Sequence, residues 1–186
     1  MKLLKNRKIA ILFTVVVAII ATMTGVYTTA AKNTRNIEAM FYDGVYLKDE
    51  GYTQPGAALH VSSCANAALG LATMMKDHTG FSGKAEELLS ARRELMDAGS
   101  VRETSMYFRE MRDRFQELSG AAVNANLSER DMEAVLQHQS TFTGASTALL
   151  HSRYNDEVTD YLSGQSALMR IIGTFVSMKE PAYFTT

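Results

Sequence analysis

From Ile9 to Ala31 the chain reads IAILFTVVVAIIATMTGVYTTAA, 23 residues without a charged side chain. An α-helix rises about 1.5 Å per residue and a bilayer core is about 30 Å thick, so roughly 20 apolar residues cross it. The run therefore predicts a transmembrane helix over residues 9–31. The helical pattern continues beyond it. Ile37, Phe41 and Val45 stand at i, i+4 and i+8, with Met40 and Leu47 beside them. One helix is thus expected to pass from the membrane segment into a folded domain until Gly51 and Pro55 interrupt it.

Pro55 suits the first turn of a second helix, PGAALHVSSCANAALGLATMMKDH. From Ala57 to Met75 it holds no Asp, Glu, Lys or Arg, which fits either a second span or a helix buried on nearly all sides. His60, Ser62, Ser63, Asn66 and Thr73 would be costly in lipid, so the central helix of a bundle is the better expectation. Gly80 and Gly83 mark a loop. After Ser82, KAEELLSARRELMDA turns Leu88, Leu89, Leu95 and Met96 inward, and Gly99 suits a stop. Ser100 and Glu103 have the spacing of a capping box. The helix they open aligns Val101, Phe108, Met111, Phe115 and Leu118 on one stripe. Its outer faces carry Arg109–Asp113 and Glu110–Arg114 at i, i+4. Ser128 opens a last long helix expected to reach residue 165 or beyond. Met132, Val135, Leu136, Phe142, Leu149, Leu150, Tyr154, Val158 and Tyr161 recur along it at three- and four-residue steps. The expected fold is all-α: an N-terminal transmembrane helix followed by an antiparallel helical bundle of about four long helices. The division is 1–8 basic segment, 9–31 signal-anchor and 32–186 bundle.

Charge orients this plan. Lys2, Lys5, Arg7 and Lys8 immediately precede the apolar run, so the N-terminus is expected in the cytoplasm and the bundle outside a single-pass cell membrane protein. The run is longer than the apolar region of a cleaved signal, which favours a retained anchor, although Thr28-Thr29-Ala30 is a tolerable cleavage site. Setting aside those four cations leaves 15 of 19 Lys+Arg against 20 Asp+Glu, a charge of −5. Such a domain is a poor nucleic-acid binder. Cys64 is the single cysteine, so no intramolecular disulfide forms.

Residues able to carry chemistry are sparse. Three positions before His60, His78, His138 and His151 stand Ala57, Met75, Val135 and Ala148, so the Glu-x-x-His pairs of a di-iron bundle are missing. His138 and His151 lie 13 residues apart and fall on different helix faces. Neither a Gly-x-Ser-x-Gly elbow nor a phosphate-binding loop occurs. Cys64 lacks a neighbouring cation to lower its pKa and reads as an inert core thiol. Asp156, Glu157 and Asp160 could bind a cation weakly, but helix-surface carboxylates usually face water. No metal, cofactor or catalytic residue is expected.

One stretch is specific. Arg153-Tyr154-Asn155, then Val158 and Tyr161, and later Pro181 to Phe184 resemble the C-terminal signature of the LemA family, approximately R-Y-N-x-x-V-x-x-Y-N and a terminus near K-P-x-x-F. Leu162 stands where that pattern has a second Asn, and the family's Arg-Arg-x-x-L-I-P-N-L stretch has only the divergent ALHVSSCANAALGLATMM as its counterpart. The resemblance implies a divergent member, a membrane-anchored extracytoplasmic bundle and no established reaction. The residues themselves have a packing reading. Tyr154, Val158 and Tyr161 share one face, and Arg153 and Asn155 flank it within reach of a returning C-terminal tail.

The leading expectation is a non-enzymatic scaffold or interaction module at the outer face of a bacterial cytoplasmic membrane. Its candidate partners are the lipid bilayer, envelope proteins and a second copy of itself. The alternative is a sensory or ligand-binding bundle holding a small molecule or peptide near Tyr154 and Tyr161.

Overall fold

The computed structural model describes residues 7–165, 169, 173 and 179–186. Among them the chain is mostly helical, with α1 Arg7–Asp43, α2 Ala57–Met75, α3 Ser82–Met96, α4 Val101–Val123, α5 Glu129–Leu150 and α6 Tyr154–Ser163. Between α1 and α2 lies a two-stranded antiparallel hairpin, β1 Val45–Leu47 and β2 Tyr52–Gln54, with Val45 opposite Gln54 and Leu47 opposite Tyr52.

The lower part of α1 is exposed at almost every position up to Thr29, and the helix is long and apolar enough by length and composition to cross a membrane. Burial starts at Ala30 and returns at Thr34 and Phe41, with Ile37 packed against the core. The expected continuation of this helix through Val45 does not occur. Gly44 adopts φ +94° and ends it, its N–H bonded to the Met40 carbonyl at 3.0 Å. A Cβ there would collide with the Gln54 carbonyl oxygen, so only glycine admits the strand pairing that follows. Val45 is buried as expected, but from a strand.

Helix α2 is the hub, packing on α5, α3, α4 and α1. Its buried face is rich in alanine (Ala57, Ala65, Ala67, Ala68 and Ala72, with Val61, Cys64, Leu71 and Met75). Small side chains allow close approach: a Cβ on Gly70 would strike the His138 ring of α5. The helix is not buried all round. Leu59, Ser62, Asn66, Leu69 and Thr73 form one exposed stripe, which is where its polar residues find water.

Helices α3 and α4 pair through Ala85, Leu88, Ala91 and Leu95 against the Phe108–Met111–Phe115–Leu118 stripe, all buried. Leu89 is half-buried and packs against the core as expected, whereas Met96 is exposed, so the expected inner face of α3 fails only at Met96. The charged faces differ as well. Arg114 reaches Glu87 of α3 at 3.0 Å, and Glu117 pairs with Lys84, while Arg112 turns to its neighbour Asp113. The expected Arg109–Asp113 and Glu110–Arg114 pairs are not among the ion pairs formed: Arg114 turns across the seam to Glu87, and Asp113 is taken by Arg112 of its own helix. Exposed pairs of this kind are worth little, about 0–1 kcal/mol each.

The last long helix is two helices. Helix α5 stops at Leu150 and α6 starts at Tyr154. The gap is held by a side chain from the hairpin: Gln54 donates from Nε2 to the His151 carbonyl (3.2 Å) and accepts from the Arg153 N–H at Oε1 (2.9 Å). The Tyr154 N–H adds a bond to Ser152 Oγ. Two of the apolar residues recurring along the expected continuous helix, Leu136 and Leu150, are exposed (51% and 67%). The expected course beyond residue 165 lies largely outside the described residues.

Candidate functional site at the α6 seam

Six aromatic rings cross the core as one contact series. Tyr154 meets Phe41 edge-on at 5.3 Å, Phe41 meets Phe184 at 5.3 Å, and Phe184 meets Phe108 at 5.5 Å. Phe108 and Phe115 then stack on Phe142 at 6.3 and 4.0 Å. The series joins α6, α1, segment 179–186, α4 and α5, each pair gaining about 0.5–1.5 kcal/mol beyond area burial.

The signature residues converge where that series begins. Tyr154 and Val158 of α6 are buried, as are Pro181 and Phe184, and Tyr161 is half-buried. The Tyr154 hydroxyl donates to the Ala182 carbonyl at 2.8 Å. Burial pushes its phenol pKa up, helped by the nearby Glu38 and Tyr42. Asn155 grips the backbone of Phe184 with both ends of its amide: Nδ2 donates to the carbonyl at 2.7 Å and Oδ1 accepts from the N–H at 2.9 Å. Tyr161 reaches the Ala30 carbonyl at 3.5 Å. Arg153 departs from expectation, since its backbone N–H is engaged by Gln54 while its side chain is exposed and has no bond to segment 179–186.

Two further anchors escaped sequence reading. Thr34 donates to the Lys179 carbonyl at 3.1 Å. Ser105 donates to the Thr185 carbonyl (3.0 Å) and accepts from its N–H (2.9 Å). Segment 179–186 is thereby pinned to α1, α4 and α6. Each clip is a single hydroxyl or amide within an otherwise unremarkable helix, and no residue spacing announces it.

Elsewhere the chemistry is subdued. Among the described residues, no group of three or more His, Cys, Asp or Glu is placed to hold a metal ion. Cys64 is buried, its Sγ 3.6 Å from the Phe142 carbonyl, and burial pushes the thiol up to about 12, so it stays protonated at neutral pH. His138 is held below its ordinary range by burial against α2. His78 approaches Asp131 at 3.7 Å.

Beside the seam opens a cleft of about 920 Å³ between α1, the start of α4 and residues 179–182. Tyr27, Arg35, Glu38, Arg102, Lys179 and Glu180 contribute to its walls, with Gly99 and Ser100 at its rim. There Ser100 caps α4 by accepting from the Glu103 N–H at 3.3 Å. Glu103 returns its carboxylate to the Gly99 N–H at 2.9 Å, one residue earlier than the expected box. No protein-family model, curated protein or solved structure matches the chain.

Proposed function

We propose that the chain is a divergent LemA-type protein: a single-pass, membrane-anchored antiparallel bundle acting without catalysis as a scaffold or interaction module outside a bacterial cytoplasmic membrane. The observation that carries this reading is the two-part character of α1. Its apolar lower portion is exposed, whereas the same unbroken helix enters the core from Ala30 onward. Among the described residues nothing covers an apolar surface of that length, and a bilayer is the solvent that suits it. The basic residues before it favour a cytoplasmic N-terminus. Clustering of the LemA-like residues at one packed seam agrees with a role in holding the fold. The Tyr154 hydroxyl is occupied by Ala182, which weakens the alternative of a ligand held at that tyrosine.

The test is site-specific photo-crosslinking in intact membranes from the exposed faces of α2 and α5, at Leu59 and Leu136. Discrete adducts with envelope proteins, or with a second copy of the chain, are expected from at least one face. Absence of adducts from both positions, with the chain folded and membrane-associated, overturns the interaction role. Extraction of the chain from membranes by alkaline carbonate overturns the anchor.

A further inference from the structure

We propose that the cleft between α1, the start of α4 and residues 179–182 binds the headgroup of an anionic phospholipid whose phosphodiester carries a hydroxylated substituent. The proposal rests on the reading of α1 as a membrane anchor. Its first support is position. Tyr27 and Ala31 in the cleft wall belong to the last turns of the apolar run, and Arg35 follows one turn later. A tyrosine at that depth suits the membrane–water boundary. A lipid beside α1 therefore has its headgroup at the level of this opening.

The second support is charge. Arg35, Arg102 and Lys179 come from three separate parts of the chain, are exposed, and take part in none of the ion pairs among the described residues. What sets them apart is their gathering at one opening in a domain whose overall charge is negative. Glu38 and Glu180 share the walls, leaving three cations against two carboxylates. A lining of that composition matches a phosphodiester with hydroxyls, in which the cations face the phosphate and the carboxylates accept from the hydroxyls. The start of α4 adds to it. The capping bonds use the N–H groups of Gly99 and Glu103. Those of Val101 and Arg102 have no intrahelical acceptor, and the helix N-terminus favours an anion. The volume, about 920 Å³, lies within the range of small-molecule sites.

The experiment uses the full chain in neutral detergent, with short-chain phosphatidylglycerol, phosphatidylethanolamine, phosphatidylcholine and free glycerol phosphate as probes. Phosphatidylglycerol is expected to raise the melting temperature and to remain bound through gel filtration, with the other three much weaker. Combining Arg35→Gln, Arg102→Gln and Lys179→Gln should leave unliganded melting unchanged and weaken phosphatidylglycerol binding about a hundredfold, near fivefold per cation. Arg102→Gln alone supplies the smaller step if the triple variant misfolds. Equal protection by all three lipids, or no loss in the variants, overturns the proposal. Equal protection by free glycerol phosphate assigns the cleft to a soluble anion and overturns the lipid. Sedimentation of the chain with phosphatidylcholine vesicles is read separately: its failure removes the anchor, whereas sedimentation without headgroup preference removes only the cleft site.

Discussion

Asn155 is the residue on which the seam turns. Its amide satisfies both the N–H and the carbonyl of Phe184, as a neighbouring strand would. Asn155→Ala leaves two backbone groups wanting partners beside a buried ring, and should cost about 1–3 kcal/mol for each that water does not reach. Chemical denaturation measures this; Asn155→Asp restores one acceptor and should recover part of the loss. Cys64 offers a different readout. Its thiol is raised from 9.0 to about 12, so above pH 9 the unfolded chain releases a proton that the folded chain retains. The stability contribution is full below pH 9 and is lost as pH rises toward 12. Stability of the native chain should therefore fall more steeply over that window than that of Cys64→Ala. At pH 8 a maleimide should label Cys64 only after denaturation.

At the scale of elements, the decisive contacts are those that bring helices close or stop them. Gly70 lets α2 approach the His138 ring. Gly70→Ala should destabilise by about 1–3 kcal/mol, and His138→Ala should relieve much of that in a double-mutant cycle. Phe115, stacked on Phe142, should cost about 3–5 kcal/mol on truncation to Ala. Gln54→Ala should cost less, about 0.5–1.5 kcal/mol, and raise amide exchange at Arg153 specifically. These cases also show what the chain makes legible. The α4 stripe and its cap could be read directly, because a 3.6-residue period and a Ser-x-x-Glu pair are local signals. The hairpin could not, since its strands hold three residues each and its start depends on a positive φ at Gly44. Nor could the interruption before Tyr154. Neither Gly nor Pro stands there, and the groups that stabilise it belong to Gln54, almost a hundred residues away in sequence. Of the seam, Tyr154, Asn155 and Phe184 were visible through their motif, whereas Thr34 and Ser105 act only through tertiary contact.

For the molecule as a whole, the arrangement divides α1 at Ala30. Among the described residues none before Ala30 is buried, so removing residues 1–29 should leave the melting of the helical body unchanged while abolishing membrane association. Deleting 179–186 should do the reverse. It withdraws Phe184 from between Phe41 and Phe108 and undoes the bonds to Thr34, Ser105, Tyr154 and Asn155. Calorimetry should then show a broadened transition at lower temperature.

Because neither Gly nor Pro interrupts α1 between Val26 and Asp43, its apolar portion and the body turn as one shaft. An alanine inserted between Thr29 and Ala30 rotates one against the other by about 100° and separates them by about 1.5 Å; four alanines return the angle to within about 40° at four times the rise. A neighbour touching both parts at once would register that angular phase more than the added length, so the yield of crosslinked adducts across an insertion series should oscillate with the helical repeat.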